Sequence, residues 1–330
     1  MEIKNKRVLV TGADGFIGSH LVEALLQENV QIRALSLYNS FSNWGWLESV
    51  SGLDQVEVCT GDIRDVSTCK WITKDIDIIF HLAALVAIPY SYRAPDAYIE
   101  TNIKGTANLC QSAIENHCEH FLLTSTSEVY GTASYIPMDE KHPLNPQSPY
   151  SASKIGADSI ALSFYYSFGL PLTIVRPFNT YGPRQSARAI IPTIITQIAA
   201  GKNTIELGNL KPTRDFTYVK DTCNAFIALA KREKPIGDVV NIGTHTEISI
   251  GNLFQMIASL MNRDVKVVEA SVRHRPFHSE VSRLCCNPEK LKRLTGCYPN
   301  TPLEEGLKKT IEWLINPINL IKYKAELYHV

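Results

Sequence analysis

No stretch of the chain stays apolar for the roughly 18–20 residues a helix needs to cross a bilayer, so no membrane span is expected. Net charge is also missing. Thirty-three Lys and Arg balance thirty-three Asp and Glu, which argues against nucleic acid or an anionic membrane surface as partner and leaves room for a small anion held by a local arginine cluster. The eight cysteines (Cys59, Cys69, Cys110, Cys118, Cys223, Cys285, Cys286 and Cys297) form no C-x-x-C pair and have no histidines at zinc spacing. No metal is therefore expected. The adjacent pair Cys285-Cys286 is poor geometry for a mutual disulfide, and reduced thiols of a cytosolic protein are the plain reading. The opening MEIKNKRVLVTG carries no apolar leader, so a cytoplasmic location is expected. Internal repeats and low-complexity linkers are absent too.

What is present is alternation. Short β-rich runs at Arg7–Thr11, Gln31–Leu35, Val56–Thr60, Ile76–Leu82, Phe121–Ser125 and Leu172–Pro177 are separated by helical patterns at Phe16–Glu28, Ser67–Ile72, Tyr98–Asn116 and Pro149–Phe168. Strands alternating with helices predict an α/β fold with a doubly wound parallel sheet, which binds ligands at the C-terminal ends of its strands. Past residue 180 the pattern loosens into Pro-, Gly- and Arg-rich segments, with a further strand at Val239–Ile242 and helices at Ile250–Met261 and Pro302–Leu314. The expected division is a dinucleotide-binding domain at 1–178, with a returning segment near 215–245, and a smaller, mainly substrate-binding lobe at 179–330. The tail after Asn316 has no readable role.

The first strand ends in Thr11-Gly12-Ala13-Asp14-Gly15-Phe16-Ile17-Gly18. Glycines at this spacing allow a tight turn and close backbone approach to a pyrophosphate, and the helix start supplies aligned N–H groups. Gly12, Gly15, Phe16, Ile17 and Gly18 are thus candidate cofactor contacts. The second strand ends in Ser36, where an acid would normally hold the adenosine ribose. No arginine follows until Arg64, so NAD is favoured over NADP; Arg33 is the residue that could reverse this. Asp62 in "GDIRD" either accepts from the adenine amino group, with Ile63 beside it, or caps a helix. Leu82, Ala83 and Ala84 are small enough for backbone to pass close to a flat cofactor. His81 reads as a packed, hydrogen-bonded histidine.

"SPYSASK" places Tyr150 and Lys154 four apart, on one helix face, with Ser148 as cap and Pro149 at the first helical position. A phenol with its ordinary pKa near ~10 is a poor base at neutral pH, and a neighbouring ammonium is expected to favour the phenolate. The run "TSTSEVYG" (124–131) crowds hydroxyls ahead of one carboxylate, Glu128.

Together, "TGADGFIGSH", "GDIRD", "HLAA", "TNIKGT", "TSTSEVYG", "PYSASK", "RPFNTYGPR" and "RDFTYVKD" make the chain resemble, over nearly its whole length, the extended short-chain dehydrogenase/reductases that modify nucleotide sugars. It looks most similar to the NAD-dependent hexose 4,6-dehydratases, in the branch serving nonulosonic (legionaminic or pseudaminic) acid synthesis on nucleotide-linked N-acetylglucosamine. The resemblance implies that Tyr150 removes the C4 hydroxyl proton while hydride leaves C4, that Lys154 reaches the nicotinamide ribose, and that Thr126, or its neighbour Ser125, holds the C4 oxygen. Glu128 would take the C5 proton as general base.

Here the chain departs from the family pattern. Those dehydratases carry Asp-Glu where this chain has Ser127-Glu128, and the aspartic acid protonates the C6 hydroxyl. Either Ser127 relays a proton, or the substrate arrives already dehydrated, as a 5,6-ene sugar. A 4-epimerase and a non-catalytic NAD-binding module are the rival functions. For the substrate, a UDP-sugar by expectation, the candidates are Asn179, Arg188, Arg214 and Arg275, since arginine forks match phosphate oxygens. Glu280 either accepts from ribose hydroxyls or pairs with Arg283. Tyr90 and Tyr92 lie where hexose contacts are expected. The apolar faces of Tyr98–Asn116 and Pro149–Phe168 suit a homodimer interface.

Overall fold

The computed structural model describes residues 2–232, 237–325 and 327. Strand β1 (Arg7–Thr11) shows why the central sheet is buried on both sides: Val8 and Val10 join one apolar cluster and Leu9 the other. A strand packed on both faces reads as a continuous apolar run, the mark of a parallel sheet between two helix layers. In chain order follow α1 (Phe16–Leu26), β2 (Gln31–Leu37), β3 (Val56–Gly61), α2 (Val66–Ile72), β4 (Ile78–His81), α3 (Ile88–Ser91), α4 (Pro95–Tyr98), α5 (Gly105–Glu115), β5 (His120–Thr124), α6 (Pro149–Phe168) and β6 (Leu172–Pro177). The second half adds β7 (Thr180–Tyr181), α7 (Ile190–Ala199), β8 (Thr204–Leu207), β9 (Thr213–Arg214), β10 (Thr217–Tyr218), α8 (Val219–Ala230), β11 (Val239–Ile242), β12 (Ile248–Ser249), α9 (Ile250–Leu260), β13 (Lys266–Glu269), α10 (Glu289–Thr295), α11 (Leu303–Ile315) and α12 (Pro317–Leu320).

Seven strands form one parallel sheet in the order β11-β6-β5-β4-β1-β2-β3. The order reverses between β1 and β4, and at such a switch point a crevice opens outside the strand ends. The doubly wound α/β architecture predicted from the sequence is therefore the one observed. Helices α1 and α8 pack together, while α5 packs between α2 and α6. Short two-stranded pairs, β7 with β10, β9 with β12 and β8 with β13, lie outside the main sheet in the second half of the chain. Among the described residues no helix is long and apolar enough to cross a membrane.

Several elements of the second half, α8 and α10 among them, are not predicted, and two departures have a plain physical cause. The helix predicted over Tyr98–Asn116 is interrupted: Ile99–Lys104 forms a wide π turn before α5. Its cause is Asn102, whose side-chain amide is buried and spent on Leu85 N, Leu85 O and Ser153 Oγ, at 2.8, 3.0 and 2.9 Å. Helix α7 is not predicted at all, because IIPTIITQIA is largely β-branched and carries a proline. It forms because its isoleucines Ile191, Ile194, Ile195 and Ile198 are fully buried, and tertiary packing overrides weak propensity. Helix α6 runs as predicted, with Ser148 and Ser151 in a reciprocal capping box, Pro149 in the first turn and Gly169 closing it in the left-handed region.

Candidate active site

The crevice begins at Gly12. Its φ is +65°, and a β-carbon there would stand 2.8 Å from Ala83 N. A β-carbon on Gly18 would stand 2.1 Å from the Gly12 carbonyl oxygen. Glycine is thus required twice: once for the turn and once for the approach of α1 to it. Gly15 caps α1 without any side-chain bond, so the first N–H groups of the helix keep their donors for a ligand.

Behind the cradle, Thr11 Oγ1 accepts from Leu82 N and Ala83 N, both at 3.1 Å, and lies 2.8 Å from His81 Nδ1. With both backbone donors aimed at its lone pairs, the Thr11 hydroxyl proton goes to Nδ1. Nε2–H then donates to Thr106 Oγ1 at 3.0 Å, which in turn donates to Asn102 O. The network assigns this tautomer. Burial, helped by the Lys154 charge, takes the His81 pKa down to about 3, so it is a neutral brace and no acid or base.

At the end of β2 the Ser36 hydroxyl is buried with no close hydrogen-bond partner among the described residues, near enough to Asp14 to favour its charged form. Asp14 accepts from Leu37 N at 3.3 Å, and burial raises its pKa. An acid from the glycine loop thus stands where the strand itself supplies none. Arg33 is spent elsewhere, on Glu57 and on the carbonyls of Ile72 and Lys74, and is no part of the crevice. Asp62 is not a helix cap: that place belongs to Asp65, while Asp62 binds Arg64. Ile63 is buried beneath Gly105, whose β-carbon would meet it at 2.6 Å. Leu82, Ala83 and Ala84, all half-buried, form the opposite wall.

Tyr150, Lys154 and Asp158 line up on one face of α6, all buried. The Thr126 hydroxyl faces the Tyr150 phenol, and Tyr98 meets its ring edge-on at 6.2 Å. The expectation that Lys154 makes the phenol acidic is not met. Burial is the dominant influence and raises the Tyr150 pKa; Thr126 opposes it, and Glu128, Tyr98 and Asp158 add to it. Lys154 instead donates to Thr124 O at 2.6 Å, and burial lowers its own pKa to about 8, against the pull of Asp158. Ser125 is also corrected. Its hydroxyl donates to Asp158 Oδ2 at 2.9 Å, behind the crevice, and leaves Thr126 as the residue facing Tyr150. Ser127 is buried at the start of a single 3₁₀ turn, Ser127–Tyr130, and its hydroxyl makes no hydrogen bond among the described residues.

Glu128 projects from the same turn toward the substrate lobe, where Arg275 Nη1 lies 3.8 Å from it. Glu280 is 3.5 Å from Arg214 and 4.0 Å from Arg275, and does not pair with Arg283, which binds Glu247. Two arginines and two carboxylates thus meet beside Tyr150. Among the described residues Arg275 Nη1 and Asn179 Nδ2 are buried without a hydrogen-bond partner, as donors awaiting a polar ligand would be. Arg188 is exposed at the rim, with its Nε on Ser186 Oγ and its charge felt by Tyr98. Tyr90 is displaced from the centre, its ring on Tyr98 at 6.2 Å. Tyr92 takes the central place: it packs against the Tyr98–Tyr150 cluster, and its hydroxyl meets Ser279 Oγ at 2.6 Å across the cleft. No local spacing in "IPYSYRAP" separates these two tyrosines. Asp158 had a signal, the i+4 step beyond Lys154.

A family model described as GDP-mannose 4,6 dehydratase matches residues 9–310. The chain belongs to this family. Within these extended short-chain dehydrogenases, human dTDP-D-glucose 4,6-dehydratase is 33% identical over 93% of this chain and 89% of its own length. A UDP-N-acetyl-alpha-D-glucosaminuronate decarboxylase of Bacillus cytotoxicus is 33% identical over 93% and 97%. Among solved structures, the UDP-N-acetylglucosamine 4-epimerase of Methanobrevibacter ruminantium, in complex with UDP-N-acetylmuramic acid, superposes with TM-score 0.84 at 31% identity, covering 94% of this chain and 99% of that one. DesIV, a dTDP-glucose 4,6-dehydratase of Streptomyces venezuelae with NAD bound, gives 0.87 at 28% identity, covering 96% and 99%. The family is thus one of NAD-dependent enzymes of nucleotide sugars. Its members here include dehydratases, a decarboxylase and an epimerase, so the outcome is decided by what stands beside the tyrosine.

Proposed function

We propose that the protein is an NAD-dependent nucleotide-sugar 4,6-dehydratase that acts on a UDP-N-acetylglucosamine-type substrate and releases a 4-keto-6-deoxy sugar, in the service of nonulosonic acid synthesis. The observation that carries this is Glu128, a carboxylate in the pocket of Tyr150 that inversion at C4 alone does not need.

The cradle of Gly12, Gly15 and Gly18, which any β-carbon would fill, fits a dinucleotide pyrophosphate, with the N–H groups of Phe16 and Ile17 at the helix start. Asp14, beside Ser36, suits the adenosine ribose; Asp62 and Ile63 suit the adenine; Leu82, Ala83 and Ala84 wall the site. NAD bound there supplies the hydride acceptor and donor. Lys154 holds its ribose hydroxyls. Tyr150, as its phenolate, takes the C4 hydroxyl proton as hydride leaves C4, Thr126 hydrogen-bonds the C4 oxygen, and Glu128 removes the C5 proton that a C4 ketone makes acidic while the C6 hydroxyl leaves as water on a proton relayed through Ser127; hydride then returns to C6 and a proton to C5. Arg214, Arg275 and Asn179 hold the diphosphate, Glu280 the ribose, Tyr92 and the outer Tyr90 the hexose, with Arg188 at the rim. Exposed Ile99, Tyr166 and Phe168 on the faces around α5 and α6 suit a homodimer. A cytoplasmic location is part of the same proposal.

A second reading has its own support. Ser127 is a weak acid with no hydrogen-bond partner among the described residues, so no carboxylic acid adjoins Glu128 in sequence to expel the C6 hydroxyl. The enzyme would then take a 5,6-ene sugar made by a partner, oxidise C4, return hydride to C6 and protonate C5, giving an L-sugar if protonation inverts that centre. Incubation with UDP-N-acetylglucosamine alone decides. Release of a 4-keto-6-deoxy product supports the complete dehydratase; no release from it, with turnover of the 5,6-ene, supports the second. Glu128→Gln is expected to lose about 10²–10⁴-fold in product formation; full turnover would make the enzyme an epimerase. Since Lys154 must be an ammonium, activity is expected at neutral pH and is lost as pH rises through about 8, read from the alkaline limb of the kcat profile.

A further inference from the structure

Three residues of α6, each one helical turn from the next, grip three consecutive residues at the end of β5. Tyr150 faces Thr126, Lys154 donates to Thr124 O, and Asp158 accepts from Ser125 Oγ. The proposed reaction uses the first two pairs and leaves the third unexplained. Asp158 is buried, and its Oδ2 also accepts from Arg176 Nε and Nη2 at 3.2 and 2.8 Å, while Oδ1 has no hydrogen-bond partner among the described residues. Arg176 is in turn fixed by Tyr130, whose hydroxyl it meets at 2.9 Å and which donates to Asn241 at 2.8 Å. A fully buried carboxylate with one oxygen left over is expensive unless it answers a need.

We propose that Asp158 is a positioning residue for the Tyr150–Lys154 pair: its charge keeps the Lys154 ammonium protonated, and its bond to Ser125 fixes the direction of Thr126. The inference rests on reading those two residues as the catalytic pair. The groups around Lys154 leave Asp158 as the anion for this task. His81 from β4 is neutral, burial disfavours the Tyr150 phenolate, β5 offers only a carbonyl, and Glu128 lies toward the arginines. Arg176 on β6 reaches the same carboxylate from the side of Tyr130. Burial alone disfavours the ammonium, and Asp158 is the group that counters it.

The test is the titration of Lys154, followed by NMR of isotopically labelled lysine in the NAD-loaded protein without sugar, beside the pH profile of turnover. In D158N the Lys154 midpoint is expected to fall by about one pH unit, the alkaline limb to move with it, and kcat at pH 8 to drop about fivefold, since a fall of one unit from a midpoint of about 8 takes the protonated fraction there from about a half to about a tenth. KM for the nucleotide sugar should stay within about twofold. S125A keeps the charge, so its midpoint should stay put while kcat falls. If D158N does not fold because Arg176 is left unpaired, D158N/R176Q leaves no lone charge and should show the same downward midpoint. An unmoved midpoint in the folded variant overturns the proposal. Because the titration is read without substrate, it stands whether or not UDP-N-acetylglucosamine is turned over.

Discussion

Replacing Tyr150 by Phe is expected to lower turnover by about 10²–10⁴-fold, the range a positioned acid–base group supplies, and to leave NAD and nucleotide-sugar affinity nearly unchanged. The ring stays, so the edge contact with Tyr98 and the packing against Ile88 survive, and with them the fold. Only the hydroxyl that faces Thr126 is lost. The size of the effect follows from the burial of Tyr150. In a pocket where burial, Glu128 and Asp158 all disfavour its phenolate, no water or neighbouring group takes over the proton cheaply. The measurement is a single-turnover experiment, following reduced nicotinamide by absorbance in the wild type and in Y150F. A residual rate within tenfold of wild type removes Tyr150 as the base. A null rate with unchanged ligand affinity supports it.

The second large effect is expected at Gly18. In Gly18→Ala the new methyl would sit 2.1 Å from the Gly12 carbonyl oxygen and 2.8 Å from Ala13 Cα, both backbone atoms that no rotamer change can move aside. Helix α1 must then shift away from the glycine loop. Overpacking of this kind costs about 1–3 kcal/mol in stability. The same shift pulls the first N–H groups of α1 out of register with the cradle, so NAD affinity is expected to fall by about 100-fold or more, because the helix start is an anion site only while its donors converge. Calorimetric titration with NAD and a thermal melt read the two consequences separately. Unchanged affinity alongside a lowered Tm would mean that the pyrophosphate lies elsewhere.

These two residues were legible from spacing alone. Gly12, Gly15 and Gly18 carry their meaning in a window of seven residues at the end of an apolar run, and Tyr150 with Lys154 in another window of seven that opens with Ser148-Pro149. Ser36 was legible as a missing acid, but its replacement was not. Asp14 reaches the end of β2 only because β1 and β2 are neighbours in the sheet. The same limit explains Arg33, which sequence left open as a possible 2′-phosphate ligand and which the fold ties to Glu57 and the end of α2. Ser125 and Thr126 part as the register argument expects, Thr126 toward Tyr150 and Ser125 toward Asp158, because successive side chains of extended backbone point opposite ways.

By itself the sequence determined the alternation of strands and helices, the parallel sheet, the glycine cradle and the tyrosine–lysine pair, since each is written in residues less than two helical turns apart. Only the tertiary structure decided that Arg214 and Arg275 meet Glu128 and Glu280 while Arg188 stays outside, that Tyr92 and not Tyr90 spans the cleft, and that Asp158 lies beneath the pair. Tyr92 and Ser279 are 187 positions apart, and Arg176 and Tyr130 are 46 apart. Contacts at such separations carry no periodic signal. They exist because burying the two faces of one sheet brings the ends of distant strands to a single edge, and the chain's local pattern says nothing about which of its many polar side chains will be waiting there.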